Sequence, residues 1–447
     1  MRRRTHLIAG DVSLSVLAVW SGHALLGQKI GTPRDLVQVV LIGSVILFSS
    51  FMTELYNTNK FMPVRERFAR IVLALLITLL LLSSLFYIVP TLMLERRLLL
   101  ASIAVFGALQ FFWHQGYMST SSAPGFARRV LILGTGPLAL KMSEVISSAN
   151  SRHTVAGYVA LEDTPPQVPA GSILGTSKNL CTIVKRERIQ RLVVSLSERR
   201  GVFPLQDVLN CKFDGVDVLD APSFYEDITG KLLIENITPS WFIFCGELKL
   251  TQPKRAAKRL FDIAAALVGC ILAAPLAPFI ALLIKLDSKG PVLFRQVRMG
   301  EQGKLFTLYK FRTMRQDAEK SSGAVWAQQD DPRVTRIGRF LRTSRLDELP
   351  QLFNILRGDM SLIGPRPERP EFIEGLSKII PFYSQRHAVK PGLTGWAQIR
   401  YPYGSSVDDA IEKLRYDLFY IKHMSMLFDI GIILETIKVI LFGRGAR

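Results

Sequence analysis

Four apolar runs of bilayer length open this 447-residue chain and restrict its fold more than any other feature. They are Leu7–Leu26, Leu36–Leu55, Ile71–Val89 and Leu98–Tyr117, each near the roughly 20 residues a helix needs to cross a hydrocarbon core. Backbone polar groups in lipid must be satisfied within the segment, so such runs are read as helices. The basic residues sort by side. Arg2, Arg3, Arg4, Lys60, Arg65, Arg67, Arg70, Arg128 and Arg129 fall on one face, and only Lys29, Arg34, Arg96 and Arg97 on the other. The richer face is expected to be cytoplasmic, with the N-terminus and everything after Tyr117 inside. No small-residue cleavage site closes the first run, which therefore reads as a membrane helix rather than a signal peptide.

The chain is 49% hydrophobic yet carries a formal charge of +19. The apolar runs explain the first property and a basic surface between them the second. Such a surface suits anionic lipid, nucleic acid or phosphorylated substrates; nucleic-acid binding alone does not account for four membrane runs. Cys181, Cys211, Cys245 and Cys270 lie far apart without metal-ligand spacing and read as reduced, structural thiols.

Ser119-Thr120-Ser121-Ser122-Ala123-Pro124-Gly125 has the composition of a linker. Arg129–Leu133 then reads as a strand running into Gly134-Thr135-Gly136 and a helix through Ile146, with further strands at Val155–Ala160, Arg191–Ser195 and Val216–Leu219. This is an α/β unit of Rossmann type with a Gly-x-Gly-x-x-Ala turn. Gly134 and Gly136 would bring backbone to a nucleotide phosphate, with Glu162 or Asp163 on a ribose. The alternative is an inherited turn that holds no ligand, and Ala139 already departs from the fingerprint.

Phe261–Leu286 is another long apolar run, with Pro275 and Pro278 in its middle. Two prolines three residues apart bend a helix sharply. Lys254, Arg255, Lys258 and Arg259 precede the run, and Lys285, Lys289, Arg295 and Arg298 follow it. A spanning helix would leave one positive cluster outside, so a re-entrant hairpin is expected.

After it, Asp347 and Glu348 stand side by side ahead of Pro350. Proline is tolerated in the first turn of a helix, so the spacing predicts a helix over 348–356 starting near Asp347. Its N-terminus would aim free N–H groups at whatever the two carboxylates hold, an environment for a phosphate and a metal ion. The plain alternative is an N-cap with an acidic first turn. Phe306–Met314 reads as a strand ending in Lys310, Arg312 and Thr313, a candidate diphosphate grip.

Several motifs together carry a resemblance: Lys258-Arg259-x-x-Asp262, Lys310–Met314, Leu346–Asn354, Gly358–Pro367 and Pro391–Gln398. In this order they resemble the polyprenol-phosphate sugar-1-phosphate transferases, or monotopic phosphoglycosyl transferases. The four-run start and the Rossmann-like middle look like the large form, and the ending Leu441–Arg447 like an exopolysaccharide branch. The resemblance implies a membrane α plus α/β architecture: a transmembrane domain over 1–118, a Rossmann-like domain over 119–250, and a mainly helical catalytic domain over 251–447 with its re-entrant segment at 261–286. It implies that Asp347 attacks the β-phosphate of a UDP-sugar and expels UMP, that Glu348 holds Mg²⁺, and that undecaprenyl phosphate then takes the phosphosugar. Lys310, Arg312 and Arg366 are its candidate phosphate cations, and Asp359 and Pro275 its supporting positions. The family's hairpin usually breaks at Ser-Pro, whereas this chain has Ala274-Pro275. The expected setting is the cytoplasmic membrane of a bacterium, with the lipid bilayer and a second copy of the chain as partners and no nucleic acid.

A reading from another class is a nucleotide-sensing or scaffold subunit with an inactive C-terminal block. That reading expects loss of the acid pair or its cations, yet Asp347, Glu348, Lys310 and Arg366 are all present. A processive glycosyltransferase would want Asp-x-Asp and Gln-x-x-Arg-Trp motifs, and a nucleotide-sugar epimerase a Tyr-x-x-x-Lys pair after the glycine turn.

Overall fold

A computed structural model describes residues 2–27, 33–53, 55–56, 64–121, 128–148, 153–161, 166–196, 203–236, 251–316, 318, 331–401, 404 and 406–441. Lys29, Lys60, Glu162, Asp163, Cys245 and the 442–447 ending lie outside these. The chain divides into two compact units, Met1–Phe224 and Tyr225–Arg447.

The first unit begins with four helices, α1 (Arg2–Leu25), α2 (Pro33–Met52), α3 (Val64–Ile88) and α4 (Arg96–Ser121). α1, α3 and α4 are long and apolar enough to cross a membrane; the apolar part of α2, Leu36–Met52, is shorter. Leu55, expected inside the second run, lies beyond the end of α2. α4 continues through Ser121, so the first three residues of the expected linker are helical. Leu82, Ile42, Ile46, Phe106 and Val19 form the apolar core of the bundle. Beside it sits a polar cluster. Asp11 is wholly buried; its Oδ2 accepts from Tyr56 Oη at 2.7 Å and Gln110 Nε2 at 2.6 Å, and His114 Nε2 lies 3.1 Å from both of its oxygens. A carboxylate inside a bundle is tolerated only when partnered in this way.

The α/β part contains β1 (Arg128–Leu133), α5 (Pro137–Ser148), β2 (His153–Ala160), β3 (Ile173–Thr176), α6 (Leu180–Arg186), β4 (Arg191–Val194), α7 (Leu205–Phe213), β5 (Asp217–Asp220) and α8 (Ala221–Thr229), the unit boundary falling within α8. All pairings are parallel and the strand order is β3-β2-β1-β4-β5. That is the order of a doubly wound sheet. Leu131, Leu133, Val159, Leu192 and Val194 fill its core, as expected of a sheet covered on both faces. β3 was not legible in the sequence: Ile173-Leu174-Gly175-Thr176 is four residues long and never alternates.

After the end of α8, the second unit continues with a bent pair, α9 (Gln252–Ala273) and α10 (Leu276–Asp287), whose axes differ by 61°. Pro275 stands at the break and has no N–H to continue the ladder. Ala274 still donates its N–H to Cys270 O at 2.8 Å, so the bend forms without a serine hydroxyl. The pair leaves Leu260, Leu267, Val268, Ile271, Leu272, Phe279, Leu282 and Leu286 exposed.

There follow an antiparallel hairpin β6 (Leu293–Met299) and β7 (Leu305–Phe311), α11 (Arg336–Thr343), α12 (Gln351–Arg357), β8 (Ser361–Ile363), α13 (Pro370–Ile379), β9 (Gly392–Thr394), α14 (Trp396–Arg400), α15 (Val407–Lys422) and α16 (Met426–Leu441). The last two helices were open to lying on a membrane or packing inward. Leu414, Leu418, Ile421 and Ile432 are buried with Ile363 and Ile373, while Leu427 at the start of α16 is exposed. Trp396 is a packing residue: its indole donates to Gly230 O at 2.8 Å and its ring meets Phe428 edge-on.

Candidate active site

The helix expected over 348–356 begins instead at Gln351. Asp347 and Glu348 lie on a separate 3₁₀ turn, Leu346–Glu348, and Pro350 occupies the N-cap of α12. The turn is entered through Arg345 in the left-handed region, φ 60°. A non-glycine residue there costs roughly 1–2 kcal/mol, and such strain collects where a backbone must present side chains.

Three contacts fix this turn. α12 buries Leu352 and Ile355 against Ala266 of α9 and Leu308 of β7. Asn354, fully buried, donates from Nδ2 to Thr307 O at 2.7 Å and accepts from Tyr309 N at 3.2 Å, clamping α12 to the edge of β7. The far end of α12 stops at Gly358, φ 94°, where Arg259 donates to Ile355 O at 2.6 Å and to Leu356 O at 2.8 Å, and Lys390 donates to Gly358 O at 2.7 Å. Cations on the last carbonyls of a helix both satisfy and stabilise it. Asp262 in turn accepts from Ser361 Oγ and Leu362 N. Three sequence motifs thus converge on the seating of one short helix.

The clamp brings Lys310 opposite the acid pair. Its Nζ lies 2.9 Å from Glu348 Oε1 and 4.0 Å from Asp347 Oδ2, and Arg366 Nη2 lies 3.1 Å from the same Glu348 oxygen. Both carboxylates are buried. Burial pushes the Asp347 carboxyl above the ordinary aspartate value, reinforced by Glu348 and opposed by Lys310, Arg342 and Arg366. For Glu348 burial is outweighed: Lys310, Arg366 and Arg345 hold its carboxyl well below the glutamate range. Lys310 is lowered by burial against the pull of Glu348. Two adjacent acids therefore have different chemistry, the pattern by which neighbouring carboxyls take separate roles. Glu348 is held as the anion, and Asp347 is the more basic of the two.

The remaining expected residues lie apart from this cluster. Arg312, also buried, donates from Nη2 to Ser288 O at 2.7 Å and Ser288 Oγ at 3.0 Å, at the end of α10. Asp359 sits at the C-terminal end of α12, where its N–H meets Asn354 O and its carboxylate faces Arg357. Pro275 acts through the bend. Sequence reasoning missed Arg342 and Arg345, which bear on Asp347 and Glu348 respectively. Arg342 donates to Thr313 Oγ1 at 2.9 Å. Its signal was there, an arginine five residues before Asp347.

Among the described residues no group of three or more acidic, histidine or cysteine side chains could cage a metal. The donor set at the turn is two carboxylates, and both neighbouring cations land on Oε1 of Glu348. The two carboxylates could hold Mg²⁺, which is usually bound by one or two carboxylates together with water and substrate phosphates. A buried anion between cations, beside a more basic carboxylate, is the kind of charge arrangement that collects at functional sites.

Residues 253–443 match the bacterial sugar transferase family. A UDP-N-acetylgalactosamine-undecaprenyl-phosphate N-acetylgalactosaminephosphotransferase of Aeromonas hydrophila is 43% identical over 237 residues, 53% of this chain and 55% of that protein. An undecaprenyl-phosphate glucose phosphotransferase of Komagataeibacter xylinus is 37% identical over 327 residues, 72% of this chain and 60% of that one. An exopolysaccharide production protein of Rhizobium leguminosarum bv. phaseoli is 45% identical over 185 residues, 40% of this chain and 92% of that protein. The chain belongs to the bacterial sugar transferase family. It spans 55% and 60% of the lengths of the first two relatives.

Proposed function

We propose that this protein transfers a sugar-1-phosphate from a UDP-sugar to undecaprenyl phosphate, releasing UMP, at the first membrane step of exopolysaccharide or other glycan synthesis. The observation that carries this reading is the split acid pair: Glu348 locked by Lys310 and Arg366, Asp347 close by with a raised pKa. Asp347 Oδ attacks the β-phosphorus; the bond from that phosphorus to the bridging oxygen breaks, and its electron pair leaves with UMP. An oxygen of undecaprenyl phosphate then attacks the same phosphorus and returns the Asp347 carboxylate. Lys310 and Arg366 oppose the charge of the diphosphate, which a carboxylate nucleophile would otherwise be repelled by. Glu348, with Asp347 beside it, would hold Mg²⁺, which when bound neutralises phosphate charge.

The exposed apolar faces of α9 and α10, with basic residues at both ends, support a re-entrant seat in the bilayer. The same charge rule supports α1–α4 as four spans with the catalytic unit on the cytoplasmic face of the bacterial inner membrane. A homodimer belongs to this reading as the family's large form implies it.

The test is UMP release by nanodisc-held protein with Mg²⁺ and undecaprenyl phosphate, against a panel of UDP-sugars, for wild type and Asp347→Asn. UMP from one sugar, lost in the mutant, is expected. No UMP from any sugar would overturn the reading in favour of an inactive sensor or scaffold; UMP undiminished in the mutant would sink the nucleophile assignment.

A further inference from the structure

The parallel sheet in the first unit has its topological switch point between β1 and β4. The chain leaves β1 toward β2 and β3 on one side and returns to β4 and β5 on the other, so the crevice that such sheets use for ligands opens at the C-terminal ends of these two strands. Gly134-Thr135-Gly136 follow β1 there, and Ser195 follows β4, its N–H bonded to Leu133 O at 2.9 Å.

The two strand ends are drawn together. Gly134 has φ 122°, and a Cβ on it would stand 2.7 Å from Ser195 O and 3.2 Å from Ser195 Oγ. Only glycine fits there. Gly136, by contrast, faces open space: a Cβ on it meets nothing within 4 Å. α5 starts at the next residue, twelve residues long, with Pro137 first and so with one orphan N–H removed. The Leu138 N–H and the positive end of the helix dipole remain at its tip. Ala139, the third position of the glycine pattern, is fully buried. It serves the close helix–sheet packing asked of that position, and its methyl does not disqualify the turn.

Two hydroxyls supply the independent observation. Thr135 and Ser195 are 1% and 3% exposed, and among the described residues neither Oγ1 of Thr135 nor Oγ of Ser195 has a hydrogen-bond partner. Buried hydroxyls are nearly always bonded, and leaving one unpaired costs about 1–3 kcal/mol. Here two stand orphaned at one spot, at the mouth of a glycine turn and a helix N-terminus. Each is a donor able to reach an anionic oxygen.

We propose that Gly134, Thr135, Gly136 and Ser195 form a binding site for the phosphate of a nucleotide, on the first unit and separate from the carboxylate site on the second. The loop brings backbone N–H close to the phosphate, Gly136 leaves room for it, and the Thr135 and Ser195 hydroxyls donate to its oxygens. The site does not depend on the transferase reading, because none of its residues belongs to the acid-pair cluster.

Hydrogen–deuterium exchange on the full chain in nanodiscs tests it, read on peptides covering 133–142 and 193–196. The probes are UMP, UDP-glucose, NAD and inorganic phosphate. At a concentration about ten times its Kd, a nucleotide is expected to slow exchange of these amides about tenfold. Ser195→Ala and Thr135→Val should abolish that protection while peptides elsewhere exchange as in wild type. Gly136→Asp, which places a carboxylate in the open space, should abolish it also. Protection by none of the probes would overturn the site, as would protection unchanged in both hydroxyl variants. Inorganic phosphate protecting as well as every nucleotide would overturn the nucleotide assignment. Protection confined to the 346–366 region would report the carboxylate site alone and count against this one.

Discussion

Lys310 Nζ stands 2.9 Å from Glu348 Oε1 but 4.0 Å from Asp347 Oδ2. One ammonium is thus shared unequally between two neighbouring acids. It pairs directly with the first and only pulls on the second, and the difference of about an ångström leaves the two carboxyls in different electrostatic settings.

Replacing Lys310 by methionine keeps the stem and removes the charge. Activity is expected to fall about 10²–10³-fold, the usual loss when one electrostatic stabiliser is taken from an active site. The acid limb of the pH–rate profile should also move. Burial already holds Asp347 above the ordinary aspartate value while Lys310 pulls it down. Without Lys310 the Asp347 carboxyl binds its proton more tightly, so the limb shifts to higher pH. A steady-state profile from pH 5 to 9 on both proteins checks this. A limb that stays put would show that the observed titration is not that of Asp347.

Much of this site was legible in the sequence, and what was not has a physical cause. The structure brings the acid pair, Lys310 and Arg366 together, residues that the sequence could name by charge type and by the family resemblance but could not place in space. The helix start was misplaced by three residues. A proline at position 350 suits the first turn of a helix, but the left-handed Arg345 folds the chain into a 3₁₀ turn upstream and leaves Pro350 at the N-cap. A positive φ at an arginine leaves no compositional trace. Arg312 was grouped with Lys310 on spacing alone, yet it follows the last residue of β7 and turns to Ser288. The role of Asn354 depends on two backbone groups some 45 residues away, a relationship that only the tertiary fold creates. In the first unit the glycine turn was legible, and the orphaned hydroxyls of Thr135 and Ser195 were not, since their isolation depends on which neighbours fail to reach them.

A second prediction concerns stability. Arg386 Nη2 donates to Asp417 Oδ2 at 2.8 Å and to Arg366 O at 3.2 Å, and its Nη1 to Tyr383 Oη at 2.8 Å. The pair is almost wholly buried and supports the backbone of a site arginine. Burial pushes the Asp417 carboxyl up to about 6 despite its partner. A carboxyl raised in the folded state favours folding below its unfolded value, and that contribution is lost as pH rises through about 6. Asp417→Asn should therefore flatten the pH dependence of unfolding between about pH 4 and 7. Arg386→Ala, which strands the buried charge, should cost about 3–5 kcal/mol at neutral pH. Denaturant titrations of detergent-held protein at several pH values would show both; a slope unchanged in Asp417→Asn would contradict the assignment.

The polar cluster around Asp11 sets a third expectation, for the helix bundle. Tyr56, Gln110 and His114 all converge on that one carboxylate, from the segment after α2 and from α4. Interhelical hydrogen bonds in membranes average about 0.6 kcal/mol apiece, and a stranded buried partner costs about 1–3 kcal/mol. Asp11→Ala removes the shared acceptor and strands three donors, so its loss should reach the upper part of that range. Asp11→Asn keeps an acceptor oxygen of the same shape and should recover most of the stability. Tyr56→Phe removes one donor and leaves the other two in place, so it should cost less than Asp11→Ala. Reversible unfolding in mixed micelles orders the three variants. Equal losses for Asp11→Asn and Asp11→Ala would mean that the negative charge, rather than the hydrogen-bond geometry, joins α1 to its neighbours.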